Sequence, residues 1–504
     1  MSEDRLLRKD LRIMTTTLEA DAVATGKRQW IALGVLCLAT LLVSLDLFVM
    51  LLAVPAVTEA LGATSSQQLW ILDVYGFMVA GLMITMGNLG DRLGRRRLLL
   101  IAAAVFGVAS IVAAYSVTPG MLIGARAVLG IAGAAIAPCT LSLISTIFPD
   151  ERRRATALGV WGGCFTVGAV VGPVVGGVLL NHFWWGSAFL IGVPAMVVLL
   201  AVGPFILPEY RNARAGRIDV PSVVLSLAAI LPVIHGLKHL AAHGAGAQAF
   251  GSLLAGGVFG WVFVRRQLRL ADPLVDVRLF TRRTFSVTLG SMTAYSMLSG
   301  GVMVFIAQYF QLVKGMTPLA AGLALVPGMI TSTIGFQLAP RLAQRIRPGI
   351  LIPAGVAFTV VGMVVVSLTT STTVLVIAFA FECFGPGALV ILGTNLVIGA
   401  VPPENAGSAG ALTQTANEFG YSLGIAVLGS VVTAVYRGQL DGRGGNSLGE
   451  AMAQGVPGDV LDAARHAFTT GFHLAAAITA VVLAGVAVLL AVTLRSVPAL
   501  GRRG

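Results

Sequence analysis

The sequence predicts an all-α polytopic membrane protein with fourteen transmembrane helices, and three observations carry this prediction. The 504 residues are 56% hydrophobic and 11% charged, with a mean hydropathy of +0.89, so a water-soluble core could not hold the apolar surface. Most apolar runs reach about 20 residues, enough to cross roughly 30 Å of hydrocarbon as a helix. The runs also lack the alternating pattern of a membrane β-barrel.

A basic stretch between the second and third apolar runs sets the expected orientation. Met86 to Leu100 reads MGNLGDRLGRRRLLL, and Lys and Arg residues between two spans favour the cytoplasmic side. Counting the spans outward places both termini in the cytoplasm of a multi-pass protein of the cell (inner, cytoplasmic) membrane. The net charge of +12 lies mainly in such short loops, so it indicates orientation and lipid contact rather than binding of nucleic acid.

An internal repeat predicts two related halves. LGDRLGRR, from Leu89 to Arg96, returns as LAPRLAQR, from Leu338 to Arg345, again between two spans. The separation is longer than six helices need and fits eight, which predicts two six-helix bundles with two inserted helices between them. The expected segments are a cytoplasmic leader (1–29), an N-terminal bundle (30–207), a link with the inserted pair (208–265), a C-terminal bundle (266–495) with an external loop (436–471), and a cytoplasmic tail (496–504).

Asp46 and Arg126 are two of the charged residues that stand within predicted spans, where an ion is costly unless it faces a cavity or finds a partner. Asp46 lies in the middle of the first span, in LVSLDLFVMLLAVP, and Arg126 lies in the fourth, in GARAVLGIAG. A carboxyl group in this place is a candidate for proton exchange, and an arginine that stays charged is its natural counter-ion. A structural ion pair without a role in proton coupling is the alternative.

Further polar side chains cluster late in the chain. Glu418 lies in the thirteenth span among hydroxyl and amide side chains; proton coupling and a structural role are equally open for it. Glu382, in the twelfth span, precedes a Gly-Pro-Gly sequence and could instead satisfy a broken backbone. Aromatic side chains could stack on a cation, with lipid or core packing as the alternative. The candidate cavity residues are Phe48, Asp73, Tyr295, Tyr309, Ser332, Glu382, Gln414 and Asn417.

Two further patterns are rich in glycine. The basic stretch is interpreted as a latch whose carboxylate and arginines pair across the two bundles in an outward-open state and separate in an inward-open one. In the fifth span, small residues at helical spacing allow close helix contact and a proline bends the helix; a generic packing face is the alternative. The latch residues are Gly87, Gly90, Asp91, Arg92, Gly94 and Arg95, and the fifth-span residues are Gly159, Gly168, Gly172, Pro173, Gly176 and Gly177.

These motifs resemble those of a known family. GNLGDRLGRRR resembles the loop between helices two and three of the major facilitator superfamily, and the glycine pattern resembles the fifth-helix motif of its drug antiporters. RAVLGIAGA resembles the fourth-helix arginine motif, with Leu129 where a glutamine is common. The chain is similar to the fourteen-helix drug:H+ antiporters, in particular to the quaternary-ammonium and multidrug exporters. The resemblance implies the major facilitator fold and assigns Asp46, Arg126 and Asp91 to proton relay and gating.

The function that this resemblance implies is proton-driven export of lipophilic, mainly cationic drugs or biocides by alternating access. No Walker loop, metal-ligand cluster or nucleophile-base spacing is present in the sequence, so neither an enzyme nor a metal site is predicted, and the proton gradient replaces a cofactor. The expected partners are a lipophilic small molecule, protons and the bilayer, and a monomer is expected. Export of an endogenous lipid or secondary metabolite is the alternative, and a non-transporting membrane sensor or scaffold is the third.

The sequence also predicts the charge of the substrate. Ser332, Thr413 and Gln414 stand where similar exporters can carry carboxylates. Fewer carboxylates in a cavity mean less Coulombic attraction for a doubly charged cation. We therefore expect from the sequence a preference for monovalent or zwitterionic substrates.

Overall fold

A computed structural model of the chain describes residues 3–209, 219–243, 246–270, 273, 277–400, 406–440 and 443–495, and nearly all of these residues are helical. A 3-10 turn at Val277–Thr281 and a π-helical turn at Tyr309–Val313 interrupt the α-helical pattern. Within the described ranges the α-helices are α1 (Glu3–Leu61), α2 (Ser65–Leu93), α3 (Arg95–Ala114), α4 (Pro119–Ile147), α5 (Glu151–His182), α6 (Ser187–Leu190), α7 (Val193–Ile206), α8 (Val220–His243), α9 (Ala247–Arg269), α10 (Arg283–Gln308), α11 (Pro318–Ala343), α12 (Pro348–Leu368), α13 (Thr372–Phe384), α14 (Pro386–Gly399), α15 (Ala406–Leu440), α16 (Leu448–Ala453) and α17 (Gly458–Thr493).

The helices account for the predicted membrane spans. Thirteen helical stretches in the described part of the chain are long and apolar enough to cross a bilayer, and α5, at 32 residues, is long enough to be the fourteenth. The sixth span is built from α6 and α7, and the twelfth from α13 and α14, which meet at Gly385. Proline at position 386 begins α14 because it cannot continue a preceding helix. The chain is a multi-pass helical membrane protein.

Several boundaries differ from those expected from the sequence. Helix α1 begins at Glu3, so it includes most of the predicted leader. The predicted loop 436–471 is shorter in the structure, because α15 continues to Leu440 and α17 already begins at Gly458. Among the described residues between them α16 is the helix, and the sequence GDVLDAARHAF forms the first turns of α17, which continues through Gly471 into the span. The arginines of the predicted link at 210–218 and the tail 496–504 lie outside the described residues.

The basic stretch is helical except at a single residue, whereas the sequence suggested a loop. Helix α2 ends at Leu93 and α3 begins at Arg95. Gly94 between them has φ +103°, a backbone conformation that side chains with a Cβ rarely adopt. One glycine is therefore enough to reverse the chain, and the arginines that follow it belong to the first turn of α3.

The spans form two bundles that meet along two helix pairs. In the first bundle α2 packs on α4, α1 on α5, and α3 on α4 and α7. In the second, α10 packs on α15, α12 on α17, and α11 on α13. The bundles contact each other mainly through α5 against α11 and α2 against α15. A site that depends on both bundles must therefore lie near these two seams.

The seams are tight at the end of the molecule that is remote from Gly94, which we call the closed end. A Cβ at Gly177 in α5 would lie 2.6 Å from the Cα of Leu319, and a Cβ at Gly322 in α11 would collide with the carbonyl oxygen of Pro173. Across the other seam, a Cβ at Gly429 in α15 would lie 2.6 Å from the Leu69 side chain of α2. Small residues thus bring the two backbones together at the closed end.

The inserted helices form a hairpin that leans on one seam. Helix α8 packs on α9 and also on α2 and α15, and its Ile234 is buried against the two bundles. Where α8 begins and α9 ends, Arg266 Nη2 donates to Asp219 Oδ1 at 2.7 Å, and Gln267 Nε2 donates to Ser222 Oγ at 2.7 Å. Burial disfavours the charge of Asp219, but hydrogen bonds from Arg266 and Ser222 outweigh this and hold its pKa below the ordinary value.

The closed end predicts opposite effects for two glycine substitutions. Gly322→Ala places a methyl group against the Pro173 carbonyl, so we expect a lower thermal unfolding midpoint, because overpacking costs about 1–3 kcal/mol. Gly257→Ala, in α9, meets nothing within 4 Å and should leave the midpoint unchanged or slightly raised, because alanine favours the helix. Thermal unfolding of both purified variants in one detergent measures the contrast. A Gly322→Ala midpoint at or above that of the parent would contradict the packing described here.

Candidate functional site

A buried ion pair joins three helices of the first bundle. Arg126 in α4 donates from Nη1 to Asp46 Oδ2 in α1 at 2.9 Å. Its Nε donates to the carbonyl oxygen of Ile71 at 3.0 Å and its Nη2 to that of Leu72 at 3.4 Å, both in α2. The side chains of Arg126 and Asp46 are only 1% and 9% exposed. The sequence predicted the pairing of the two charges but not the contacts with α2.

The arrangement satisfies a charge that cannot be removed. A guanidinium stays protonated in proteins and presents five N–H groups, so it needs several acceptors when it is buried. Here it has a carboxylate and two carbonyl oxygens, and its Cζ also lies 4.9 Å from the ring centroid of Tyr75. Of the two charged partners only Asp46 can become neutral. Protonation of Asp46 would therefore loosen the contacts between α1, α4 and α2 together.

A cavity of about 440 Å³ lies between the bundles. It is lined by side chains from both bundles, including Phe48 of α1 and several residues of α10, α11 and α15. Its walls are largely apolar, with a few convergent polar groups, which is the usual make-up of a site for a small organic molecule. The residues predicted from the sequence that line it are Phe48, Tyr295, Ser332, Glu382, Gln414, Asn417 and Glu418.

Glu382 anchors one polar cluster of this cavity. It is 4% exposed and accepts hydrogen bonds from Ser299 Oγ of α10 and from Cys383 Sγ. Its backbone carbonyl accepts from Thr359 Oγ1 at 3.0 Å, and that hydroxyl lies 2.8 Å from the hydroxyl of Tyr295. The sequence left open that Glu382 only satisfies backbone groups where the helix is broken. Its carboxyl group instead contacts side chains at the cavity.

Glu418 belongs to a second cluster on α15. Gln414 Nε2 donates to its Oε1 at 3.1 Å, and the neighbouring Asn417 Oδ1 accepts from Ser296 Oγ of α10 at 3.1 Å. Tyr75 and Tyr421 lie within electrostatic range of Glu418, and their buried hydroxyl groups have no hydrogen-bond partner among the described residues. Glu418 thus lies on the side of the cavity that faces the Arg126 pair.

Two predicted cavity residues lie elsewhere. Asp73 is fully buried in α2, next to the carbonyl groups that Arg126 contacts, and it does not line the cavity. Tyr309 does not line it either, because its ring stacks on Phe472 with centroids 5.3 Å apart. The sequence reasoning missed Tyr75 and Ser299, whereas it had placed Tyr421 on the polar face around Glu418 that could line a cavity. Ser299 follows Tyr295 by four residues on one helix face, a spacing that could have indicated it.

The hydrogen bonds and the ion pair of the latch residues Asp91 and Arg95 with described residues all lie within their own bundle. Asp91 is paired with Arg95, one turn away, at 2.7 Å, and Arg95 also donates to the Pro138 carbonyl of α4 at 3.5 Å. Arg92 is exposed. A Cβ at Gly90 would lie 2.9 Å from the Arg95 side chain, and one at Gly87 would only touch Pro138 at 3.9 Å. Gly90 therefore leaves room for the Asp91–Arg95 pair.

The glycines of the fifth span pack α5 against α1 and α11. A Cβ at Gly168, Gly172 or Gly176 would lie within 2.6 to 3.1 Å of residues Ser44, Phe48 and Val49 of α1. Gly177 and Pro173 make the contacts with α11 at the closed end. Gly159 meets nothing within 4 Å, so its place in the motif is not explained by packing. The close helix contact that the small residues predict is thus present from position 168 onward.

Two helical bundles around a cavity, with an ion pair buried beside it, define a membrane transporter and not an enzyme. The chain belongs to the Major Facilitator Superfamily, whose sequence profile matches residues 36–425. The fold agrees with a solved bacterial homologue of the human lysosomal transporter Spinster, in an inward-facing and unoccupied conformation. The two proteins are 16% identical in sequence, and their structures superpose with a TM-score of 0.69. The match covers 93% of this chain and 98% of the other.

Curated relatives extend over almost the whole sequence. The chain is 38% identical to the multidrug efflux pump LfrA of Mycolicibacterium smegmatis, across 96% of this chain and 100% of that protein. It is 34% identical to the methyl viologen resistance protein SmvA of Salmonella typhimurium, across 88% of this chain and 93% of that protein. The family predicted from the sequence motifs is therefore confirmed.

A double-mutant cycle tests the buried pair. Asp46→Asn leaves the guanidinium without its counter-charge, and Arg126→Gln leaves the carboxylate without one. Asp46→Asn should reduce the free energy of unfolding by about 3–5 kcal/mol, because the buried guanidinium stays charged, whereas Arg126→Gln should cost less, because Asp46 can take up a proton. The double variant should cost clearly less than the sum of the two. Denaturation of the purified proteins measures the coupling.

The control for this cycle is the pair of Arg465 and Asp462, at 3.2 Å, whose side chains are 38% and 79% exposed. Its coupling energy should stay within about 0–1 kcal/mol, because exposed ion pairs contribute little. Equal coupling in the two cycles would show that Asp46 and Arg126 do not depend on each other as described.

Proposed function

We propose that this protein is a proton-coupled antiporter that exports lipophilic, mainly cationic drugs or biocides by alternating access. The observation that carries the proposal is the composition of the cavity. Glu382 and Glu418 line it, while no Lys, Arg or His is among its described lining residues. The one buried guanidinium nearby, that of Arg126, already has Asp46 as counter-ion. An apolar cavity with carboxyl groups and no fixed cation favours a lipophilic cation as substrate.

The names of the relatives support the same proposal. LfrA is described as a multidrug efflux pump and SmvA as a methyl viologen resistance protein. Methyl viologen is an aromatic cation, so resistance to it fits export of this class of compound. We propose that this chain also transports small molecules with a delocalised or quaternary positive charge.

Proton coupling is assigned to Asp46, Arg126 and Glu418. Arg126 holds α2 through the carbonyl groups of Ile71 and Leu72, and α2 forms a seam with α15 of the other bundle. When Asp46 takes up a proton, Arg126 loses its counter-charge, and the contacts that hold α2 change with it. Because α15 carries Glu418, a proton at one site alters the packing around the other. The proton gradient supplies the free energy, with no cofactor.

The proposal includes an orientation of the protein in the membrane and a conformational state. The end with Gly94 and the arginines of α3 faces the cytoplasm, as do both termini, in the cytoplasmic membrane. The closed end then faces outward, so we assign this conformation to a state closed to the outside. The pairing of Asp91 with Arg95 inside one bundle fits this state, and in the outward-open state these groups pair across the bundles. The working unit is a monomer.

Export of an endogenous lipid or secondary metabolite is the second candidate. It uses the same cavity and the same ion pair, so only the substrate separates it from drug export. A non-transporting sensor or scaffold is disfavoured, because a passive protein has no use for the desolvation cost of buried carboxyl groups such as Glu382. A panel of lipophilic cations, anions and neutral lipids as substrates separates the first two.

Everted membrane vesicles with an acidic lumen test the function. We expect accumulation of ethidium and quaternary ammonium compounds in the lumen, driven by the pH gradient, and its loss in Asp46→Asn. Asp462→Asn removes an exposed carboxylate and serves as the matched control, which should transport normally. Asp46→Glu keeps the carboxyl group and should retain part of the activity. Transport by Asp46→Asn at the parental rate would overturn the assigned proton site.

A further inference from the structure

We propose that Glu382 and Glu418 are two separate cation-binding points, so that the cavity prefers lipophilic dications and exchanges each positive charge for one proton. This inference rests on the proposed function and adds the substrate charge and the exchange ratio to it. It replaces the expectation, drawn from Ser332, Thr413 and Gln414, of a preference for monovalent or zwitterionic compounds.

The two carboxyl groups stand on different helices, and α10 contacts the surroundings of both. Ser299 of α10 donates to Glu382 of α13, and Ser296 of the same helix donates to Asn417, next to Glu418 of α15. Each carboxyl group has its own hydrogen-bond donor, Ser299 for Glu382 and Gln414 for Glu418. Both groups line the cavity, and each has its own hydrogen-bond partners, so we treat them as two separate sites.

The charge of this cavity is not balanced by the protein. The groups that face Glu382 are the hydroxyls of Ser299 and Tyr295 and the thiol of Cys383, and none of these is a cation. Those near Glu418 are Gln414, Tyr75 and Tyr421, with Arg126 beyond them and already paired with Asp46. An ionised carboxylate without a counter-charge is unfavourable away from water, which applies in full to the buried Glu382 and less strongly to the half-buried Glu418. Each site therefore holds either a proton or a substrate cation.

The apolar lining of the cavity suits a flat, apolar substrate body. Phe48, Met303, Met329 and Phe336 line the cavity together with the ring of Tyr295. Aromatic rings and the polarisable thioether of methionine pack well against planar aromatic cations. The volume of about 440 Å³ falls within the range of sites for drug-sized molecules. A dication with a planar aromatic body thus finds apolar side chains and two acidic groups in one cavity.

The exchange balances charge and atoms. When a dication binds, the O–H bonds of both carboxyl groups break, two protons leave to water, and two ionic contacts form. A monocation ionises only one carboxyl group, and the other keeps its proton. Binding of a dication is then charge-neutral within the cavity, whereas binding to a single carboxylate would leave one positive charge uncompensated.

Ethidium and propidium test the inference, because they share one ring system and propidium carries one more quaternary ammonium group. Purified full-length protein in lipid nanodiscs is titrated with each dye in weak buffer containing a pH indicator. We expect roughly tenfold tighter binding of propidium than of ethidium, one carboxylate contact of about 1.4 kcal/mol being one factor of ten. We also expect one additional proton released for each bound propidium.

Substitutions then assign the two sites. Glu382→Gln and Glu418→Gln should each abolish the preference for propidium and the additional proton, while ethidium still binds. Glu382→Asp and Glu418→Asp keep the charge and should retain both effects, which separates lost charge from misfolding. Glu59→Gln, at an exposed carboxylate outside the cavity, should leave both dyes unaffected.

The outcomes separate this inference from the proposed function. If the parent protein binds and transports ethidium but shows no preference for propidium, or if both glutamine variants keep the preference, the two-site inference is wrong and cation export stands. If neither dye nor any other cation of the vesicle panel is bound or transported, the proposed function itself fails.

Discussion

The buried charge of Arg126 is the constraint on which the rest of the structure depends. A guanidinium inside a membrane bundle cannot lose its proton, so the fold must supply acceptors wherever it lies. The structure supplies them from α1 and α2, which ties three helices of one bundle to a single side chain. Only Asp46 among the acceptors can be neutralised, and this makes the packing of α2 sensitive to one proton.

The position of α2 gives that sensitivity a consequence for the whole molecule. One face of α2 meets Arg126, and another forms a seam with α15, the helix of Glu418. The inserted helix α8 leans on the same seam. A change in the hold of Arg126 on α2 is therefore transmitted to the contact between the bundles, close to the cavity. Proton and substrate sites need not touch each other to be coupled in this way.

The sequence was sufficient for the features that depend on local composition. Hydropathy predicted the number of spans, the repeated basic motif predicted two bundles with an inserted pair, and the cost of a lone ion predicted that Asp46 and Arg126 would pair. It could not show that the basic stretch turns at Gly94 alone, or that α17 begins at Gly458, because hydropathy does not register where a polar helix continues beyond the bilayer. The approach of Glu382 and Glu418 to one cavity depends on how helices far apart in the chain are rotated, which no single segment encodes.

We propose that cation movement and proton movement are obligatorily linked through the Arg126 pair. The most direct measurement uses purified protein in proteoliposomes that carry a pH-sensitive dye in the lumen, with a gradient of ethidium and no initial pH gradient. We predict that ethidium moving down its gradient drives protons in the opposite direction. Asp46→Asn should abolish this proton flux. Ethidium transport by the parent protein without any proton movement would contradict the proposed link.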